Sequence, residues 1–165
     1  MKHWLFFFSL LNLHGMMTAC TLLPMPVNSQ PPPQIESKTF HENVMLKVSL
    51  LSRENKLPPV GIPNQSNRDI GFATVFLSLE NHQEKNQTVT IKNIEIRNAS
   101  DLQLQSFSFE TRQIELKPLE NSVIDIHLAN KIGYVGEDPV KAIVTYQIGS
   151  QVNVIESEAV EVEQD

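Results

Sequence analysis

The chain has 165 residues, of which 41% are hydrophobic and 19% charged, and its formal net charge is −6. That is enough apolar material for one packed domain with accessory segments, and it is not the profile of a disordered chain. The acidic balance argues against a nucleic-acid binder, which needs clustered Lys and Arg to displace counterions, and against a module drawn to anionic lipid by a basic patch.

The N-terminal stretch reads "MKHWLFFFSLLNLHGMMTAC". Lys2 and His3 give it a short basic start, and an apolar run follows from Trp4 to Leu13, broken by Asn12 and then by His14 and Gly15. About ten apolar residues fall short of the about twenty that a membrane-crossing helix needs, and match the apolar region of a secretory signal. Cys20, at the end of this stretch, is the only cysteine in the sequence. It therefore has no disulfide partner within the chain.

Met17-Thr18-Ala19-Cys20 resembles the lipobox of bacterial lipoproteins. Thr18 and Ala19 are the small residues that pattern requires, whereas Met17 stands where leucine is usual. The resemblance implies cleavage between Ala19 and Cys20 and diacylation of the Cys20 thiol, making Cys20 the new N-terminus. Each buried lipid CH₂ contributes about 0.8 kcal/mol, so two or three acyl chains anchor a protein durably where one does not. Thr21, rather than aspartate, follows the cysteine. By the sorting rule of enteric bacteria this favours the periplasmic face of the outer membrane where the organism is Gram-negative. Removal of residues 1–19 takes away Lys2 alone among the charged groups.

From Thr21 to Ser37 the sequence "TLLPMPVNSQPPPQIES" holds five prolines. Proline fixes φ and removes backbone donors, so an extended, semi-rigid spacer is expected, about 3.1 Å long per residue. The expected organisation is a signal peptide over 1–19, a lipidated cysteine with its proline-rich linker over 20–39, and a folded domain over 40–165.

The domain alternates with period two. Val44, Leu46, Val48 and Leu50 share one face of a first strand. Ala73, Val75, Leu77 and Leu79 share one face of the next, with Phe72 and Phe76 on the other. Val89 and Ile91 are followed by Ile94 and Ile96, a three-residue step that predicts a bulge at Lys92-Asn93. "DLQLQSFSFE" has the same step, from Leu102 and Leu104 to Phe107 and Phe109. Both phase switches are expected where a strand crosses between sheets. Ile114 and Leu116 make a short strand, Pro118 to Asn121 a turn, and Ile124, Ile126 and Leu128 another strand. Val140, Ala142, Val144, Tyr146 and Ile148 lead to Gly149-Ser150, a two-residue hairpin turn of type II′. The last strand carries Val152 and Val154, then Val160 and Val162.

Helical periodicity is missing, so the expected class is all-β: a single antiparallel sandwich of seven or eight strands. The pattern resembles the immunoglobulin-like and fibronectin type III superfamily. "IELKPLENSVIDIHL" is similar to the bacterial immunoglobulin-like habit of strand, proline turn with an acidic residue, and alternating strand. "VTYQIGS" is similar to the penultimate strand and its hairpin. A cupredoxin-like sandwich is the rival.

Chemistry-bearing patterns are sparse. G-x-S-x-G does not occur, and His41, His82 and His127 are far apart with no H-x-H or H-x-x-x-H spacing. Met25 and Met45 are the methionines beyond the signal. No catalytic group, metal or cofactor is expected, although a cupredoxin-like role in handling a ligand or metal is the alternative. Asp125 and His127 alternate with Ile124, Ile126 and Leu128 and are read as an exposed strand face. The loop "RENKLPPVGIPNQSNRDI", with Leu57, Val60 and Ile62, and the loop "NKIGYVGEDP", with Tyr134, are the candidate partner-binding loops. The glycosylation sequons at Asn64, Asn86 and Asn98 carry no meaning in a bacterial lipoprotein. The functional expectation is a non-enzymatic binding, scaffolding or assembly role at the cell envelope, with a protein partner.

Overall fold

Every regular element among the described residues is a β-strand. The computed structural model describes residues 37–40, 43–57, 61 and 67–164. The chain divides into two units, Met1–Pro32 and Pro33–Asp165, and all described residues belong to the second. Ala19, Cys20 and nearly all of the linker lie outside the described residues.

The strands are β1 (Ser37–Phe40), β2 (Val44–Glu54), β3 (Gly71–Asn81), β4 (Gln87–Asn98), β5 (Arg112–Leu116), β6 (Asn121–Asn130), β7 (Val140–Ile148), β8 (Gln151–Glu156) and β9 (Glu163–Gln164). They form two sheets. One has the order β1-β2-β3-β6, with β9 also on β2, and the other has the order β5-β4-β7-β8. Among the described residues, nine strands thus replace the expected seven or eight, because two short segments share the outer side of β2. The pairing is antiparallel except for β9, which runs parallel to β2 through Arg53↔Glu163 and Glu54↔Gln164.

The inward faces are those the alternation dictates. Val44, Leu46, Val48 and Leu50 of β2 and Ala73, Val75, Leu77 and Leu79 of β3 are buried. So are Ile126 and Leu128 of β6, Ile114 and Leu116 of β5, and Val140, Ala142, Val144 and Tyr146 of β7. Each such Val, Leu or Ile contributes about 1.5–3 kcal/mol through water released from its surface. In β4, Ile91 pairs with Tyr146 and Asn93 with Thr145, so Lys92 is the extra residue of a bulge. The bulge lets Ile91 and Ile94 both face inward while β4 stays in one sheet; the expected crossing between sheets does not occur.

Two readings of the sequence are corrected. Residues 102–109 form no strand. Leu102 takes φ of +61°, outside the β region, and a single bridge joins Arg97 to Leu104. Leu102 and Leu104 are exposed, while Phe107 and Phe109 fold back against the core. In β8 the buried residue is Ile155, and Val152 and Val154 face solvent. The strand stops at Glu156, and Val160 then makes one bridge to Val140. The β7–β8 connection is the expected two-residue turn, with Gly149 at φ +58°.

Candidate interaction face

The outer face of the β2–β3–β6 layer is assembled by register. Successive rows across it are Arg53–Phe72–Ala129, Leu51–Thr74–His127, Ser49–Phe76–Asp125 and Lys47–Ser78–Val123. Phe72 and Phe76 stand two rows apart on the central strand, both half-buried. Leu51 and Val123, on the strands to either side, are 47% and 68% exposed. The result is an apolar stripe on a solvent-facing sheet, with cations on the β2 side and Asp125 and His127 on the β6 side. Arg53 lies over the Phe72 ring, its guanidinium carbon 5.7 Å from the centroid. An exposed contact of that kind contributes about 0.5–1 kcal/mol and holds the cation at the rim.

A shallow depression of about 140 Å³ opens here, lined by Lys47, Val48, Ser49, Phe76, Ser78 and Val123. Small-molecule pockets usually enclose about 300–1,000 Å³, so this surface suits a macromolecular contact better than a buried ligand. A cleft of about 360 Å³ lies between Leu50-Leu51-Ser52 of β2 and the segment Ala159–Glu161 with Glu163. There the Ser52 hydroxyl donates to the Glu161 carbonyl at 3.0 Å.

The opposite sheet presents a different surface. Thr90, Asn93, Glu95 and Arg97 of β4 face Gln147, Thr145, Ile143 and Lys141 of β7. Arg97 pairs with Glu95 at 2.8 Å and Lys141 with Glu156 at 2.6 Å. This face is polar and largely self-satisfied, with exposed Val152 and Val154 confined to its end strand.

Of the loop residues expected to bind a partner, Leu57 is 74% exposed, and Val60 and Ile62 lie outside the described residues. Tyr134 is half-buried. Its hydroxyl donates to the Phe72 carbonyl at 2.8 Å, and its ring sits 5.2 Å from that of Phe107. Burial, reinforced by the charge of Glu54, holds its hydroxyl well above the ordinary phenol value. The topology brings the two loops to the same end of the sandwich, where Lys131 Nζ donates to Asn67 Oδ1 at 2.7 Å. Leu57 points outward there and Tyr134 inward. Asp125 and His127 are exposed, and the recorded partner of His127 Nδ1 is Thr74 Oγ1 at 3.1 Å.

Sequence reasoning passed over the polar side chains buried beneath Tyr134. Asn130 Oδ1 accepts from the Gly133 amide at 2.6 Å, and Asn130 Nδ2 donates to the Gly133 carbonyl at 3.1 Å. Glu54 Oε1 accepts from the Tyr134 amide at 3.1 Å. Gln105 brackets Val135, accepting its amide at 2.8 Å and donating to its carbonyl at 3.0 Å. Three side chains from distant points thus satisfy three consecutive backbone units, as buried polar groups require. Asn130-x-x-Gly133 was the available signal, since Asn commonly bonds to backbone a few residues on. Gln105 carries no local signal.

Among the described residues, no group of three or more His, Cys, Asp or Glu side chains lies close enough to share an ion. Comparison with protein-family models, with curated proteins and with solved structures gives no match.

Proposed function

We propose that this protein is a lipid-anchored envelope module that binds a protein partner without catalysing a reaction. Its contact surface is the outer face of the β2–β3–β6 layer. The observation that carries this reading is the apolar stripe of Leu51, Phe72, Phe76 and Val123 on a face open to solvent. A contiguous exposed apolar patch rimmed by polar groups marks interaction sites. Aromatic residues at its centre, with Arg53 and other charged groups around them, match the composition of interface cores and rims.

The sandwich is read as immunoglobulin-like, of the fibronectin type III kind. In the lettering of that superfamily, β2, β3 and β6 take the places of A, B and E, and β4, β7 and β8 those of C, F and G. β5 sits beside β4, the position of a C′ strand. Lipidation of Cys20 and processing after Ala19 rest on the lipobox resemblance. The proline-rich segment then serves as the spacer between lipid and domain.

The test is the double variant Leu51→Lys/Val123→Lys. Both side chains are exposed, so the urea midpoint should stay within error of wild type. After crosslinking in intact cells, the variant should lose the protein adduct that the wild type forms. An undiminished adduct would remove this face from the account.

A further inference from the structure

The β6 edge of the sheet has a property that the face itself does not explain. β6 closes its sheet, pairing with β3 on one side through ten consecutive residue pairs without a bulge. It contains no proline. Natural edge strands are commonly shortened, bulged or interrupted by proline to prevent pairing with another chain. The end strand of the other sheet on that side, β5, has five residues where β6 has ten.

The phase of the ladder shows which groups are open. The Asn81 amide donates to the Glu120 carbonyl at 2.8 Å. Bonded and non-bonded pairs alternate in an antiparallel ladder, so the even-numbered residues of β6 are those bonded to β3. Val123, Asp125, His127 and Ala129 therefore turn their N–H and C=O groups away from β3. No hydrogen bond to any of these backbone groups occurs among the described residues. The side chains of the same four residues are exposed on the outer face.

We infer that β6 is a self-pairing edge, which joins two copies of this chain antiparallel about Ile126. Complementarity of hydrogen-bonding side chains, a carboxylate facing an imidazole, selects both the occupant and the register. Centring on Ile126 places Asp125 of each copy opposite His127 of the other, and Val123 opposite Ala129. Centring on Asp125 sets two carboxylates against each other, and centring on His127 does the same with two imidazoles. A shift by one residue would oppose the outer face of one sheet to the inner face of the other. In the Ile126 register the open N–H and C=O groups at 125 and 127 meet their counterparts, completing the ladder. The two apolar stripes then lie on one continuous surface. Thr74, which bonds His127 Nδ1, leaves the far ring nitrogen of His127 for the carboxylate across the seam.

The experiment is sedimentation velocity on the full-length chain in detergent with reductant, over a concentration series. The wild type should show a concentration-dependent protein mass of two chains. Asp125→Lys and His127→Asp should each weaken association at least tenfold, because the first removes the carboxylate that accepts from His127 and the second sets two carboxylates against each other across the seam. The double variant Asp125→Lys/His127→Asp restores opposite charges and should recover the wild-type constant. His127→Pro removes the outward N–H together with the imidazole while sparing the even-numbered positions that bond to β3, and should also abolish the dimer. A wild type that stays monomeric throughout would overturn the inference. So would a dimer that the single variants leave unchanged, or an edge that takes up an added extended peptide while remaining monomeric.

Discussion

Gly133 takes φ of +76°, and a Cβ built there would collide with Glu54 Oε1. Glu54 cannot simply swing aside. Its side chain is 3% exposed, and it accepts from the Tyr134 amide, from Lys56 at 3.0 Å and from Gln164 at 3.3 Å. Gly133→Ala should therefore destabilise the domain by about 2–4 kcal/mol, combining left-handed strain with a displaced charge-assisted hydrogen bond. Gly149, at φ +58° with nothing within 4 Å of its missing Cβ, isolates the strain alone. Gly149→Ala should cost about 1–2 kcal/mol, and urea unfolding of the two variants separates the contributions. The tyrosines make a second prediction. Burial raises the hydroxyl pKa of both Tyr134 and Tyr146 in the folded chain. Above about pH 10 the unfolded chain loses these protons while the folded chain keeps them. The unfolded state then binds fewer protons, so stability is intact below about pH 10 and falls as pH rises beyond it. Urea midpoints followed from about pH 8 to about pH 11 should show the decline, and Tyr134→Phe should make it shallower. An equal slope in the variant would place the alkaline loss elsewhere.

Among the elements, β8 is the sharpest test of how side chains were assigned to faces. Ile155 is 3% exposed and packs in the core, while Val154 beside it is 56% exposed. Ile155→Ala should cost about 2–4 kcal/mol, and Val154→Ala within about 0.5 kcal/mol of nothing, both by urea unfolding. The contrast shows why alternation alone misread this strand. "QVNVIE" holds apolar residues in both phases, and the choice between them is made by pairing with β7, where Val144 sits opposite Ile155. Where one phase of a strand held four or more apolar residues in unbroken alternation, as in β2, β3 and β7, its inward face was legible from sequence. The β4 bulge was legible too, because Ile91 and Ile94 cannot both face inward without an extra residue. Residues 102–109 failed for another reason. Their alternation mimics a strand, but a left-handed Leu102 and the buried amide of Gln105 send the backbone elsewhere. The interaction face was half legible. Phe72 and Phe76 could be assigned to the outer side of β3, but bringing Leu51 and Val123 beside them took register between strands far apart in sequence.

At the scale of the whole molecule, the proposed anchor and spacer carry a sandwich with one apolar outer face. The anchor is tested by Cys20→Ala, which should move the protein from the membrane fraction or leave it as an uncleaved precursor. A processed Cys20→Ala chain that still pellets with membranes would contradict lipid attachment at that thiol. Formal charge of −6 and a polar opposite sheet leave the Leu51–Phe76–Val123 stripe as the surface that burial in a partner would stabilise most. The most direct measurement is a photo-crosslinking map in intact cells. A photoreactive residue is placed at Leu51 or Val123 on one sheet, and at Thr145 or Gln147 on the other. Adducts with a protein partner from Leu51 and Val123, with none from Thr145 and Gln147, are the predicted result. Adducts from Thr145 and Gln147 alone would show that the protein works through its other face and contradict the proposal.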